Sequence, residues 1–149
     1  MPVIKHTVTI ERPISEVFGY VSDFSKHSEW QPDIIRIHQS EGKTHVGSMI
    51  TIERRLRAVF ARLDLNADIT DFQLNKMIRY KGTIGVHPVI GSYTFEPQSR
   101  TTVITETIDV RMWFLPRILT GWLFTLTLRK RSQNTLDNLK KLMESGHPG

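Results

Sequence analysis

Arg62-Leu63-Asp64-Leu65-Asn66-Ala67-Asp68-Ile69-Thr70 is the stretch that decides the fold. Side chains alternate along a strand, so Leu63, Leu65, Ala67 and Ile69 share one face, and Arg62, Asp64, Asn66 and Asp68 share the other. One apolar and one polar face mark an antiparallel strand with a single side on the core. The flanking segments continue in strands. Ile34 to His38, a turn at Glu41-Gly42-Lys43, and Gly47 to Leu56 precede it. Lys76 to Gly82, Val89 to Phe95 and Thr101 to Met112 follow it, with Gln98-Ser99-Arg100 as the last turn.

Different periods appear at the two ends. Val3 to Ile10 reads as a further strand, and Pro13 suits the first turn of a helix. Ile14, Val17, Phe18, Val21 and Phe24 then fall at helical spacing, with Glu16 favouring the dipole of a short helix. A second short turn spans Lys26 to Trp30 and stops at Pro32. From Pro116 to about Met143 the chain reads as one long helix, whose apolar stripe runs through Ile118, Trp122, Leu126, Leu136, Leu139 and Met143. At 1.5 Å per residue it reaches roughly 40 Å, enough to cross the sheet. The expected fold is α+β: a curved antiparallel sheet of about seven strands wrapped around a long C-terminal helix, in a single domain over 1–149. A strongly curved sheet meets a straight helix along part of its length, and the remaining void is costly unless side chains or a ligand fill it.

The 149 residues contain no cysteine, which rules out disulfides and thiolate metal sites. Met1 to Pro13 lacks the long apolar stretch of a secretory signal. Met112 to Leu128 is broken by Pro116, Arg117, Gly121 and three threonines, so it makes a poor transmembrane helix, which needs roughly 20 mainly apolar residues. A cytoplasmic protein is expected, with peripheral membrane contact as the alternative. The net charge of +5 is spread over Arg54, Arg55, Arg57, Arg79, Lys81, Arg129 to Arg131, Lys140 and Lys141, without interleaved stacking aromatics. That dispersal argues against nucleic acid as a partner. No Gly-x-Ser-x-Gly elbow, His-Glu-x-x-His pair or phosphate loop is present. His6, His27, His38, His45, His87 and His147 lack metal-ligand spacing. Neither a metal nor another cofactor is expected.

Several segments in order resemble one family. They are Ile10-Glu11-Arg12-Pro13-Ile14, Val17-Phe18-Gly19-Tyr20-Val21-Ser22-Asp23, Glu29-Trp30-Gln31-Pro32 and Val46-Gly47-Ser48, followed by Tyr93-Thr94-Phe95-Glu96-Pro97, Thr101-Thr102-Val103 and the ending Leu136 to Glu144. Together they resemble the polyketide cyclase/dehydrase and lipid-transport family within the START-like, pollen-allergen-like (SRPBCC) superfamily. The resemblance implies a helix-grip fold with a deep, mostly apolar cavity between sheet and terminal helix. It transfers no catalytic residue, because that superfamily includes cyclases, hydrolases, dehydratases and carriers alike.

The expected cavity set is Trp30, Leu63, Tyr80, Tyr93, Phe95, Glu106, Ile108, Trp122, Leu126 and Arg129. Trp30 either touches the ligand or anchors the short helices. Tyr93 and Phe95 share a face with Gly91. For proton transfer the residues considered are Tyr80, Tyr93, Glu106 and Asp109. Glu106 shares parity with Ile104, Ile108, Val110 and Met112, and Asp109 with Val103, Thr105 and Thr107. If the more apolar parity faces inward, Glu106 is a carboxyl in an apolar wall and burial raises its pKa; the alternative is an edge position or an arginine partner. Arg129 falls within ~20° of Trp122 on a helical wheel, so it either binds a ligand carboxylate or ketone or carries its charge out to water. Trp113, Phe114, Leu123 and Phe124 make an apolar collar beside Arg129, Lys130 and Arg131. That collar reads as membrane contact, a homodimer surface or a covered cavity wall. The leading functional reading is a binding module for a lipid, quinone or polyketide-like molecule. A cyclase or dehydratase, and a membrane-associated or oligomeric accessory protein, are the alternatives.

Overall fold

The computed structural model describes residues 3–56, 61–111 and 120–145. Seven strands form one antiparallel sheet: β1 (Val3–Ile10), β2 (Ile34–Gln39), β3 (Met49–Leu56), β4 (Ala61–Gln73), β5 (Met77–Ile84), β6 (His87–Gln98) and β7 (Thr101–Val110), in the order β1-β7-β6-β5-β4-β3-β2. Helix α1 (Ile14–Ser22) and a 3-10 turn (Phe24–Glu29) follow β1, and helix α2 (Thr120–Glu144) comes last. This is the expected helix-grip order. The expected start of the last helix, Pro116, lies outside the described residues. No helix among the described residues is long and apolar enough to cross a membrane.

The alternation read from 62–70 sets the inner face. Leu65, Ala67 and Ile69 are buried, while Arg62, Asn66 and Asp68 are exposed. Strand β4 runs on to Gln73, beyond the expected end at Thr70, because a shift of register between Ile69 and Asp71 lets it keep pairing with β5 through the bend. In β7 the even parity is inward: Thr102, Ile104, Glu106, Ile108 and Val110 are all buried. Curvature is helped by Gly82. A Cβ there would overlap the Asn66 carbonyl oxygen, so the strands approach more closely than any side chain allows.

Helix α2 covers the concave face. Among its described side chains the buried positions are Leu128, Ser132, Thr135, Leu136, Leu139 and Met143, which keeps one side against the sheet. Full burial of Leu136, Leu139 and Met143 contributes roughly 1.5–3 kcal/mol each. Polar ties fix the helix end against the corner between β1 and α1. Arg12 Nε donates to the Met143 carbonyl at 3.0 Å, satisfying an acceptor that the last helical turn leaves open. Lys140 Nζ donates to the Thr9 carbonyl at 2.6 Å, and the Glu11 amide donates to Glu144 at 2.8 Å.

Gly82→Ala is expected to lower stability by about 1–3 kcal/mol, because only a backbone shift relieves the overlap. Urea unfolding measures it, and an unchanged midpoint contradicts this account of the bend.

Candidate ligand site

Strands β3 to β7 and α2 enclose a small chamber. Cross-strand register places Tyr93 opposite Glu106, and Tyr80 opposite Gly91. The bare Gly91 backbone lets the Tyr80 ring lie across β6, since a Cβ there would overlap that ring. Ile52, Leu65, Ile108 and Leu128 supply apolar walls, and Arg54 and Arg131 stand at the rim. The chamber has a volume of about 40 Å³, room for about three waters at roughly 10–15 Å³ each.

Glu106 is 3% exposed. Ser132 Oγ donates to its Oε1 at 2.5 Å, and the Tyr93 hydroxyl also donates to the carboxylate. Burial nevertheless pushes the Glu106 carboxyl up, because desolvation of the charged form outweighs those hydrogen bonds. Burial and the nearby Glu106 also raise the Tyr80 and Tyr93 hydroxyls, so both remain protonated donors. On the far side of Glu106, the inner face of β1 presents His6.

A second polar chain runs along the rim. The ring of His27 is buried, and its Nε2 donates to the Val21 carbonyl at 2.8 Å. That carbonyl only accepts, so Nδ1 is the acceptor for Gln31 Nε2 at 3.1 Å. Gln31 Oε1 in turn accepts from Arg131 Nη2 at 2.6 Å and Arg54 Nη1 at 3.2 Å. Arg131 Nε reaches Asp33 Oδ2 at 2.5 Å, and Arg54 lies 3.8 Å from Asp33. Burial pushes the Asp33 carboxyl up and Arg54 pulls it back. Outside this chain, between β2 and α2, lies a groove of about 930 Å³ whose lining includes Ile34, Ile35, Leu126, Lys130 and Asn134.

Of the residues expected at a cavity, Leu63, Tyr80, Tyr93, Glu106 and Ile108 meet at the chamber. Trp30 and Phe95 do not. Trp30 is buried against His27 and Tyr93, and Phe95 packs edge-on to Phe18 with centroids 5.0 Å apart, so both rings fill core behind the chamber. Leu126 is 42% exposed and lines the outer groove. Arg129 is exposed rather than inward. The inner stripe passes through Leu128 and Ser132, which turns position 129 to solvent and position 131 to the rim. Asp109 stands on the opposite face of the sheet, beside Lys81 and Arg111. The arginine or edge alternative for Glu106 is replaced by burial with Ser132 and Tyr93. Trp113 and Phe114, and the side chains of Trp122, Leu123 and Phe124, lie outside the described residues. Of the three basic residues expected beside that collar, Arg131 is turned inward, which leaves Arg129 and Lys130 at the surface.

The polar residues not anticipated at the site are His27, Gln31, Asp33, Arg54, Arg131 and Ser132. Arg54 had a usable signal, since it continues the inward parity of Ile50 and Ile52. Among the described residues, no cluster of three His, Asp or Glu side chains is placed to hold a metal.

The sequence matches the family model "Polyketide cyclase / dehydrase and lipid transport" over residues 1–144. No curated protein matches it. The fold is similar to that of TTHA0849 from Thermus thermophilus, with TM-score 0.79 and 13% identity over 97% of this chain and 99% of that one. A START superfamily protein from Mycobacterium smegmatis gives TM-score 0.70 and 17% identity over 96% of this chain and 94% of that one. DynU16, a protein of the dynemicin biosynthetic locus, gives 0.71 and 13% over 99% of this chain and 49% of that one. At such identities the likeness is one of fold.

Two buried groups give opposite pH dependences. The His27 pKa is lowered from 6.5 to about 4, chiefly by burial. The unfolded chain therefore takes up this proton first, and stability intact above pH 6.5 is lost as pH falls toward 4. At 1.36 kcal/mol per pKa unit the loss is roughly 3 kcal/mol. Glu106, raised in the fold, favours folding below the ordinary carboxylate range and costs stability as pH rises through and above it. Urea unfolding between about pH 4 and pH 7.5 is expected to show a shallower acid loss in His27→Gln. In Glu106→Gln, stability relative to wild type should grow as pH rises. Profiles parallel to wild type contradict these assignments.

Proposed function

Because the chain belongs to the polyketide cyclase/dehydrase and lipid transport family, we propose that it binds a hydrophobic small molecule between its sheet and α2. The carrying observation is the meeting of apolar walls with a few convergent polar groups, Arg54, Tyr80, Tyr93 and Glu106, in one chamber. That combination of greasy walls and sparse directional groups is what small-molecule sites use. The chamber alone holds only a few waters, so a ligand of ordinary size also occupies the adjoining groove of about 930 Å³. A lipid, quinone or polyketide-like skeleton fits such a site: its body is desolvated by the walls, and one oxygen meets the polar groups.

One observation favours a second reading, catalysis of the cyclase or dehydratase type. Glu106 is a buried carboxyl of raised pKa, hydrogen-bonded to the Tyr93 hydroxyl at the chamber wall. A protonated acid beside a substrate carbonyl promotes enolisation or loss of water. Substrate confinement would supply the rest of the acceleration.

The neutral dye phenylnaphthylamine tests binding. Uptake with a blue-shifted emission is expected, together with displacement by lipids or flat polycyclic compounds. Leu63→Trp, which fills the chamber from a half-buried position, should weaken uptake about tenfold or more. A folded wild type that takes up no dye contradicts the proposal. Turnover of a polyketide-like substrate, abolished in Glu106→Gln, would mark the protein as an enzyme rather than a carrier.

A further inference from the structure

The chamber and the outer groove are separated by one side chain. Among the described residues, Arg131 alone lines both. Its guanidinium spans from α2 to the segment after the 3-10 turn, bonded to Asp33 at 2.5 Å and to Gln31 at 2.6 Å. On one side is a space of about 40 Å³ and on the other about 930 Å³. Ligand sites for molecules of ordinary size occupy roughly 300–1,000 Å³, so a ligand that reaches the chamber's polar groups must pass this partition.

The charges at the partition are uneven. Two guanidiniums, Arg54 and Arg131, stand 13% and 11% exposed beside one carboxylate, Asp33. Asp33 gives its Oδ2 to Arg131, while its Oδ1 is buried and has no hydrogen-bond partner among the described residues. Among those residues Arg54 has no ion pair closer than 3.8 Å and donates one hydrogen bond, to Gln31. A guanidinium presents five donors in a fork shaped for a carboxylate. Desolvated and loosely paired, Arg54 has donor capacity left at the wall of the chamber.

Building on the binding function proposed above, we propose that the ligand is an amphiphile carrying a carboxylate. The carboxylate takes the place of Asp33 on Arg131 and engages Arg54. The apolar body then extends along Leu126 and Ile35, and opening of the Arg131–Asp33 contact joins chamber and groove into one space. The exchange keeps the charge balance local, since one carboxylate leaves the guanidinium as another arrives. It also sets specificity: a neutral molecule of the same shape cannot repay the lost Asp33 contact.

Fluorescence titration with cis-parinaric acid and its methyl ester, on the full chain, tests this inference. Wild type is expected to bind the acid at least about tenfold more tightly than the ester. In Arg54→Gln that ratio should fall toward one, and in Arg54→Lys it should recover in part because charge returns without the fork. Asp33→Asn removes the internal competitor and should raise the ratio above wild type. Thermal melts of each variant confirm folding, and the ratio of two ligands on one protein cancels a general loss of binding. If wild type takes up phenylnaphthylamine but binds acid and ester alike, the carboxylate inference is overturned and the binding function stands. If dye, acid and ester all fail to bind, both are overturned. A ratio that stays high in Arg54→Gln and does not rise in Asp33→Asn also overturns the inference.

Discussion

A sheet this curved has one apolar face and needs one cover, and the rest of the structure depends on how α2 sits against it. The seating is not purely hydrophobic. Leu136, Leu139 and Met143 press the C-terminal half of α2 onto the sheet, but Ser132 and Thr135 are buried in the same stripe. Ser132 is there because Glu106 is there. A carboxyl taken out of water without partners costs several kcal/mol, whereas one held by Ser132 and Tyr93 is tolerated. The helix is thus apolar where it closes the core, and at the chamber it adds Ser132 and Arg131 beside the apolar Leu128. That division locates the site at the level of Leu128 to Ser132.

The two polar chains have different characters. Around Glu106 the groups are neutral donors and a carboxyl whose charged form is disfavoured, all inside apolar walls. Along the rim the groups are ionic, running from the neutral ring of His27 through Gln31 to two arginines and Asp33. Gln31 joins them because an amide carries both a donor and an acceptor: its nitrogen serves His27 and its oxygen serves the arginines. Replacing it by a purely donating or purely accepting side chain would break one half of the chain. The inner chamber is therefore suited to a weakly polar atom, and the rim to a charged one.

Much of this was legible in the sequence. Strand parity groups Leu63 with the apolar face of its strand and Tyr93 with Gly91, since period two is exact enough to survive small errors at strand ends. For 101–112 it leaves the inward parity open, and the fold turns Glu106 and Ile108 in. The helix was harder. A stripe through Trp122 and Leu126 across a polar stretch to Leu136 selects Arg129. The true line passes through Leu128 and Ser132, about one position away, because a buried carboxyl on β7 makes a serine the better partner there. Nothing in the hydropathy of α2 reveals that, as the demand comes from another strand. Arg54 and Arg131 were hidden differently: both lie in basic runs that read as solvated surface, although Arg54 sits on the same parity as Ile50 and Ile52. Asp33 and Gln31 became visible only with the fold, which brings residues about a hundred positions apart into one contact. Chain identity at the level of family fixes the architecture and leaves the chemistry to these residues.

The central claim is that a hydrophobic ligand lies between the sheet and α2, reaching the Glu106 chamber. Methyl-resolved NMR during titration with a lipophilic ligand tests it most directly. The account predicts saturable shifts at Ile52, Leu65, Ile108 and Leu128, which line the chamber. Val3, Val86 and Ile90, exposed elsewhere on the surface, should stay still. Shifts confined to those exposed methyls, or no saturable shift at the inner four, would contradict it.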